Sequence, residues 1–573
     1  MRETRVIFLL VIFIALSKIH FCLGQPQVQF ADLVLLNGKI ITLEEAMPEA
    51  QALAARGDII VAVGSNEQMK RFVSSETRVI DLRGQLAIPG LIESHGHFMS
   101  MGQAKMRLDL TMAKNWDEIV AMVAEAVKNA TPGEWILGRG WHQEKWDKIP
   151  QPNVEGLPYH FDLSKVSPDN PVFLTHASGH AGYANAKAME LAGITKSTPD
   201  PDGGEIVRDE YGNPIGAFRE EAQGLIVMAM RDYQHARTAE QRFADQVKTF
   251  DLAVQECLSH GITSFHDAGS SFETIDFFKQ MVDQGRMGVR LYVMISENNQ
   301  RLAQKLTQYR LINYGDKRLT VRAIKRLIDG ALGAHGAWLL EPYNSLPTSV
   351  GLNTEPLDQM EQTARIAIEN EFQLCTHAIG DRGNRETLNI YEAAFRSHPD
   401  KKDLRWRIEH AQHLHPDDIP RFGQLGIIAA MQGIHCTSDG PWVIKRLGEQ
   451  RAREGAYVWQ TLIQSGAIIA NGTDVPVEPI DPIANFYALV TRKMKNGEAF
   501  FPEQKMTRLQ ALRSYTINGA YAAFEENIKG TLAPGKLADI TVLSKDILTI
   551  PEDEILQTEV TYTIVGGKVR YQK

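Results

Sequence analysis

Leu86-Ala-Ile-Pro-Gly-Leu-Ile-Glu-Ser-His-Gly-His97 joins a short apolar run to two histidines one residue apart. Side chains of an extended segment alternate with period two, so His95 and His97 fall on the same side. Gly96 between them leaves room for the two rings to converge. Neutral imidazole suits zinc and similar ions, and a catalytic zinc keeps one position open for water. A lone His-x-His is a weak signal, and its weight depends on what the rest of the chain places at equivalent positions.

Downstream the same kind of run recurs, at Ile262–Phe265, Arg290–Ile295, Ala323–Ile328, Phe372–Thr376, Arg405–Glu409, Ile427–Ala430 and Ala467–Ala470. With Leu86–Ile92 that makes eight. Helix-like periods such as Pro356–Glu371 lie between some of them. Repeated β-then-α units imply a parallel sheet, and eight of them a closed barrel. The expected fold class is therefore α/β, a (β/α)8 TIM-like barrel. The distance from Ile92 to Ile262 far exceeds an ordinary βα connection. It reads as an inserted subdomain, about residues 105–255, that caps the barrel mouth.

The two ends of the chain differ from this rhythm. Asp32–Thr42, Asp58–Gly64 and Arg78–Asp81 near the start, and Ala538–Leu543 and Tyr562–Arg570 near the end, are β-branched runs ended by Gly, Asn or Asp. Neither end can bury a good core alone. One composite β-sandwich built from residues 25–88 and 521–573, flanking a barrel over 89–520, is the economical arrangement.

Composition sets limits on the rest. The 573 residues are 43% hydrophobic and 23% charged, ordinary for a globular protein. A net charge of -9 argues against a nucleic-acid partner, which needs a basic face. Arg2 and Arg5 before the apolar run Val6–Leu16, with small residues around Gly24, read as a secretory signal over 1–24. The run is too short for a stable membrane span. The expectation is an exported protein, secreted or periplasmic, with a small-molecule partner and a homo-oligomer left open. Cys257, Cys375 and Cys436 follow no disulfide or zinc-thiolate spacing and read as buried apolar residues.

In a parallel barrel, functional groups gather at the C-terminal ends of strands. His377, His410 and Asp474 follow the fifth, sixth and eighth runs, and Lys325 falls within the fourth. Together with His95 and His97 they make a metal site. Asp474, beside a metal that brings bound water to a pKa of roughly 7, is the expected general acid/base.

At this point the chain resembles the amidohydrolase superfamily, specifically the amidohydrolase-3 group that includes N-substituted formamide deformylases. The residues that carry the likeness are Pro89–His97, Ile324–Ala331, Thr376–Asp381, Arg407–Gln412, Asn471–Asp474 and the closing Gly530–Asp539. The resemblance implies that His95 and His97 hold one Zn2+, that His377 and His410 hold a second, and that Lys325 bridges them as a carbamate formed with CO2. A carbamate makes chemical sense, because a lysine ammonium offers donors alone whereas a carbamate is an anionic oxygen ligand. Some relatives in the superfamily use one metal and no carbamate, and another divalent metal would fit the same ligands. His180 and Trp141 in the insertion, and Asp329, are candidate substrate-binding residues. Asp329 and Asp381 read equally well as partners that orient ligands or as turn caps. His413 and His415 read as surface or supporting residues, and His266-Asp267 has no metal role by the likeness.

The expected function is metal-dependent hydrolysis of a C–N bond, in an amide, N-formyl or N-acyl amine, by metal-activated hydroxide. A deaminase or cyclic-imide hydrolase on the same scaffold is the alternative, and a non-catalytic binding protein the second.

Overall fold

The computed structural model describes residues 30–143, 146–177 and 179–573. The signal segment read at 1–24 lies outside them. Eight strands, Leu91–Gly96, Ile262–Ser270, Arg290–Ile295, Leu319–Leu327, Gln373–Ala378, Arg407–His410, Ile428–Gln432 and Ile469–Gly472, pair in parallel in chain order. Each is buried along most of its length, as strands covered on both faces are. The first and eighth strands close the barrel through backbone bonds from Asp474 N to His95 O and from His97 N to Val475 O, both 2.8 Å.

The opening run divides into two strands. Leu86–Pro89 pairs with Ile540–Leu543 in a terminal sheet, and the barrel strand begins at Leu91. The chain changes body at Gly90, where a Cβ would sit 2.5 Å from Thr263 Cγ2 and 2.8 Å from Thr263 Cβ. His95 therefore lies within the first strand rather than after it, and His377 and His410 lie in the last two positions of theirs.

Helices wrap the barrel and share its core. The Phe98 ring meets Phe250, Phe265 and Phe278 with centroids 5.3–6.0 Å away. Phe250 belongs to helix Ala239–Ser259, which Thr238 and Gln241 start with a capping box. That helix begins inside the span read as the insertion, runs past its end, and buries Ala253, Val254 and Cys257 in the barrel core.

The inserted segment has a mixed six-stranded sheet, in the order Gly204–Arg208, Pro214–Glu220, Ala181–Ala184, Val172–His176, Ile136–Trp141, Leu108–Asp109. It buries its own core around Trp116, Ile119, Trp141, Leu174 and Tyr183.

Both ends of the chain meet in the sandwich. One sheet takes Ile59–Gly64, Ala52–Arg56, Leu33–Leu36 and Arg78–Asp81. The other runs Lys568–Gln572, Val560–Val565, Ile540–Leu543, Leu86–Pro89, Lys39–Ile41, Glu49–Ala50, interleaving the two ends. Leu33, Leu35, Leu53 and Ile80 pack against Ala538, Ile540, Val542 and Ile564 between them. The run Asp32–Thr42 supplies one strand to each sheet, turning at Asn37 with φ 55°. Gly566 and Gly567, with φ 59° and 68°, make the tight turn that splits Tyr562–Arg570 into a hairpin. The three cysteines are free and buried. Among the described residues, no helix is long and apolar enough to cross a membrane.

Candidate metal centre

Period-two alternation sends Glu93, His95 and His97 to the barrel interior. The space at Gly96 serves the opposite face: a Cβ there would lie 2.7 Å from the Phe265 ring and 3.0 Å from Val475. The glycine admits core packing, which corrects the expectation that it makes room for the two imidazoles. His95 Nε2 and His97 Nε2 stand 3.5 and 3.3 Å from Asp474 Oδ1. The His410 ring lies 4.8 Å from His95 and 4.5 Å from His377.

Alternation alone would send His410 away from the side that Glu409 faces. Its φ of 73°, followed by 42° at Ala411, ends the strand and redirects the chain. Asp474 has φ 60°, also left-handed. Histidine and aspartate are among the residues enriched in that region, and strained backbone clusters at functional sites.

Hydrogen bonding fixes which ring nitrogens face inward. His95 Nδ1 donates to the buried Glu409 carboxylate. His410 Nδ1 donates to Gln432 Oε1 at 2.7 Å. Both Nε2 lone pairs are thereby turned into the site, as metal-binding histidines require. Arg407 backs Glu409, with Nε 2.7 Å from Oε1, and also reaches Ser94 O at 2.6 Å and His266 at 3.1 Å. Burial would raise the Glu409 carboxyl, but Arg407 and then His95 hold it down at about 2. Burial, then Lys325, pushes His377 down to about 3, and burial drives His410 well below the histidine range. Both rings are therefore neutral.

Lys325 is buried, with Nζ 3.5 Å from Ala268 O, and burial lowers its pKa. For Asp474, burial acts upward, but the neighbouring His95 and His97 imidazoles hold it far below the usual carboxylate range.

His95 Nε2, His377 Nε2 and Asp474 Oδ1 are buried and lack any hydrogen-bond partner. A lone buried polar atom of this kind costs about 1–3 kcal/mol. The ligand atoms of His95, His410 and Asp474 lie within 4.8 Å of one another, two of them among these unpartnered atoms, a spacing that fits a metal ion. All six residues expected to bind metal, His95, His97, Lys325, His377, His410 and Asp474, line one cavity of about 550 Å³.

The substrate-binding candidates are elsewhere. Asp329 lies beneath this cavity, accepting from Trp338 N, Ile379 N and Gly380 N at 2.7–3.0 Å, with Oδ1 3.5 Å from His377. It fixes the loop that follows His377 and the one at Trp338. Trp141 is buried in the insertion core, Nε1 donating to Leu174 O at 2.8 Å. His180 is exposed, 2.9 Å from Glu220. Trp141 and His180 line a second cavity within the insertion, and no described residue of the insertion lines the metal-centre cavity. Asp381 accepts from Leu340 N and Arg382 N, and His266 packs under the site against Arg407. His413 is buried near Tyr457, and His415 stands 3.5 Å from Asp417.

Sequence reading gave no role to Glu409, Gln432, His435 or Asp439. The first had a signal, because Arg407 and Glu409 are opposite charges two apart in a strand-like run, with Ile408 between them. That pattern marks an inward-facing buried pair.

A parallel barrel whose strand ends gather histidines and an aspartate around unpartnered ligand atoms is the architecture of a metal-dependent hydrolase. The chain belongs to the amidohydrolase family, whose sequence profile matches residues 78–571. It is 33% identical over 557 residues to Protein LONG AFTER FAR-RED 3 of Arabidopsis thaliana, covering 94% of this chain and 92% of that protein. It is 27% identical over 553 residues to the N-substituted formamide deformylase of Arthrobacter pascens, covering 95% and 99%. The crystal structure of an uncharacterized metal-dependent hydrolase from Pyrococcus furiosus matches with TM-score 0.69 and 26% identity, covering 90% of this chain and 100% of that one.

Proposed function

We propose that this chain hydrolyses a C–N bond in a small molecule, releasing an amine from an amide, N-formyl or N-acyl amine. The observation that carries the reading is the convergence of the His95, His410 and Asp474 ligand atoms on an open cavity that His377 also lines. Similarity to a formamide deformylase over 95% of the chain supports the bond type. His95, His97, His377, His410 and Asp474 would hold zinc, with Lys325 as a carbamate between two ions. Bound zinc supplies Lewis acidity, polarising a carbonyl and bringing water to a pKa near 7.

The protein's own groups do the rest. Desolvation lowers the Lys325 pKa, which favours the neutral amine that adds CO2 and loses a proton to become a carbamate. Asp474, always ionised, accepts the proton of the attacking water and returns it to the departing nitrogen, so acid and amine leave in equal amounts. Leu327, Ile379, Trp442 and Val477 give the substrate an apolar wall. Export through the segment 1–24 is part of this proposal, checked by sequencing the mature N-terminus.

The test starts from chelator-treated protein reloaded with zinc and bicarbonate. Expected are two ions per chain, a higher melting temperature, and equal release of acid and amine from a panel of N-formyl and N-acyl amines. Asp474→Asn should lower kcat by about 10²–10⁴-fold. Lys325→Ala should lower the metal content to one ion or none; one ion in both proteins would remove the bridge. Ammonia released without an organic amine would favour the deaminase instead. Full metal loading with no turnover of any panel member would overturn the C–N reading.

A further inference from the structure

Helix Gly433–Leu447 faces the metal-centre cavity with His435, Asp439 and Trp442. Their spacing, i, i+4, i+7, puts them on one side of the helix. Glu478, four residues beyond Asp474, lines the same cavity and is near enough to Asp439 to disfavour its charge.

The charge on this wall is one-sided. Apart from the metal-binding set, the acidic side chains lining the cavity are Asp439 and Glu478; among the described residues, no arginine lines it and Lys325 is its one lysine. Asp439 accepts from Tyr457 OH at 2.7 Å and Gln412 Nε2 at 2.9 Å, both neutral donors. Neither carboxylate has an ion pair among the described residues. Both residues are half-buried, and burial pushes the Asp439 carboxyl up, a cost that an opposite charge beside it would offset. His435 is 8% exposed, and its buried Nε2 has no partner. Its ring stacks 6.2 Å from His410 at 14°, which puts this wall beside the metal ligands. Trp442 adds an aromatic ring, a surface that attracts cations.

Resting on the C–N hydrolase reading above, we propose that His435, Asp439, Trp442 and Glu478 form a subsite for a positively charged group of the substrate. The substrate class is then an acylated amine carrying a second, protonated nitrogen, such as a mono-acylated diamine. The carbonyl end sits at the metal ligands. The ammonium lies against Asp439 and Glu478, and donates to His435 Nε2. A substrate with a free carboxylate meets two carboxylates and no cation on this wall, and is disfavoured.

Binding and turnover are measured separately on the zinc-loaded protein. For binding, calorimetry compares N-(4-aminobutyl)methanesulfonamide, its neutral isostere N-pentylmethanesulfonamide and 5-(methanesulfonamido)pentanoate. The cationic compound is expected to bind at least about tenfold tighter than the neutral one, the size of a charge-assisted contact, and the anionic compound weakest. In Glu478→Gln, and further in Asp439→Asn/Glu478→Gln, the cationic-to-neutral ratio should fall towards one. The Glu478→Gln variant keeps the test available if the double variant fails to fold. Equal binding of the three, tighter binding of the anion, or a ratio unmoved by the variants overturns the subsite. For turnover, the matching acetamides are assayed. A cationic preference in binding with no acetamide cleaved keeps the subsite and removes the C–N reading. Cleavage of all three at equal kcat/KM removes the subsite and keeps that reading.

Discussion

Two imidazoles in this site are oriented by groups that touch no substrate. Glu409 takes the Nδ1 proton of His95 and Gln432 that of His410, so each ring presents Nε2 to the cavity. The two supports are not equivalent. Glu409 is locked to Arg407, and removing it would leave a buried guanidinium uncompensated, at about 3–5 kcal/mol. Gln432 is neutral and can be removed more cleanly. Gln432→Leu is expected to fold and to bind zinc about 10–100-fold more weakly, because His410 loses the acceptor that fixes its tautomer. Competition with a coloured chelator reads this directly, and unchanged affinity would show that His410 needs no such support.

At the level of elements, the site depends on how the first and eighth strands meet. Gly472 ends the eighth strand against Glu93 and His95. A Cβ there would lie 2.5 Å from His95 N and 2.8 Å from His95 O, backbone atoms that cannot swing aside. Glu93 locks the same seam by accepting from Thr473 N at 2.8 Å and Thr473 Oγ1 at 3.0 Å. Gly472→Ala should therefore destabilise by about 1–3 kcal/mol and also lower metal content, since the atoms displaced belong to a ligand. Thermal unfolding and metal analysis on one sample check both. Loss of stability with full metal loading would mean that the strain relaxes away from His95.

Across the whole molecule, the barrel is joined to the sandwich by a buried ion pair. Arg290 at the start of the third barrel strand grips Asp539 beside the C-terminal sheet, at 2.7 and 3.0 Å, and Gly566 N adds 2.8 Å to the same carboxylate. Burial would raise Asp539, but Arg290 outweighs it and its pKa is lowered. A carboxyl depressed in the folded state contributes stability that is fully present above the unfolded value, about 3.9. That contribution is lost as pH falls towards the lower folded value. Asp539→Asn should cost about 3–5 kcal/mol at neutral pH, by leaving Arg290 buried without its partner. The gap between variant and parent should narrow below about pH 4 in urea titrations at several pH values. A gap independent of pH would assign the loss to packing rather than charge.

What the sequence by itself determined is what depends on local periodicity. The eight strand runs, their order and the placement of His95, Lys325, His377, His410 and Asp474 near strand ends follow from alternation and from the parallel-barrel rule. The β-rich ends could be matched to one sandwich because neither could bury a core alone. Periodicity names a face but not the partner across it, and those partners lie far away in the chain. Only the tertiary structure showed that Leu86–Ile92 serves two bodies, and that Gly96 makes room for Phe265. It alone paired His95 with Glu409, 314 residues away, and His410 with Gln432. It also placed Trp141 and His180 in a cavity of the insertion, and set His435 and Asp439 of a barrel helix on the wall beside the metal ligands. Strand patterns are written in neighbouring residues, whereas a cavity wall is set by which helix the closed barrel brings over its mouth.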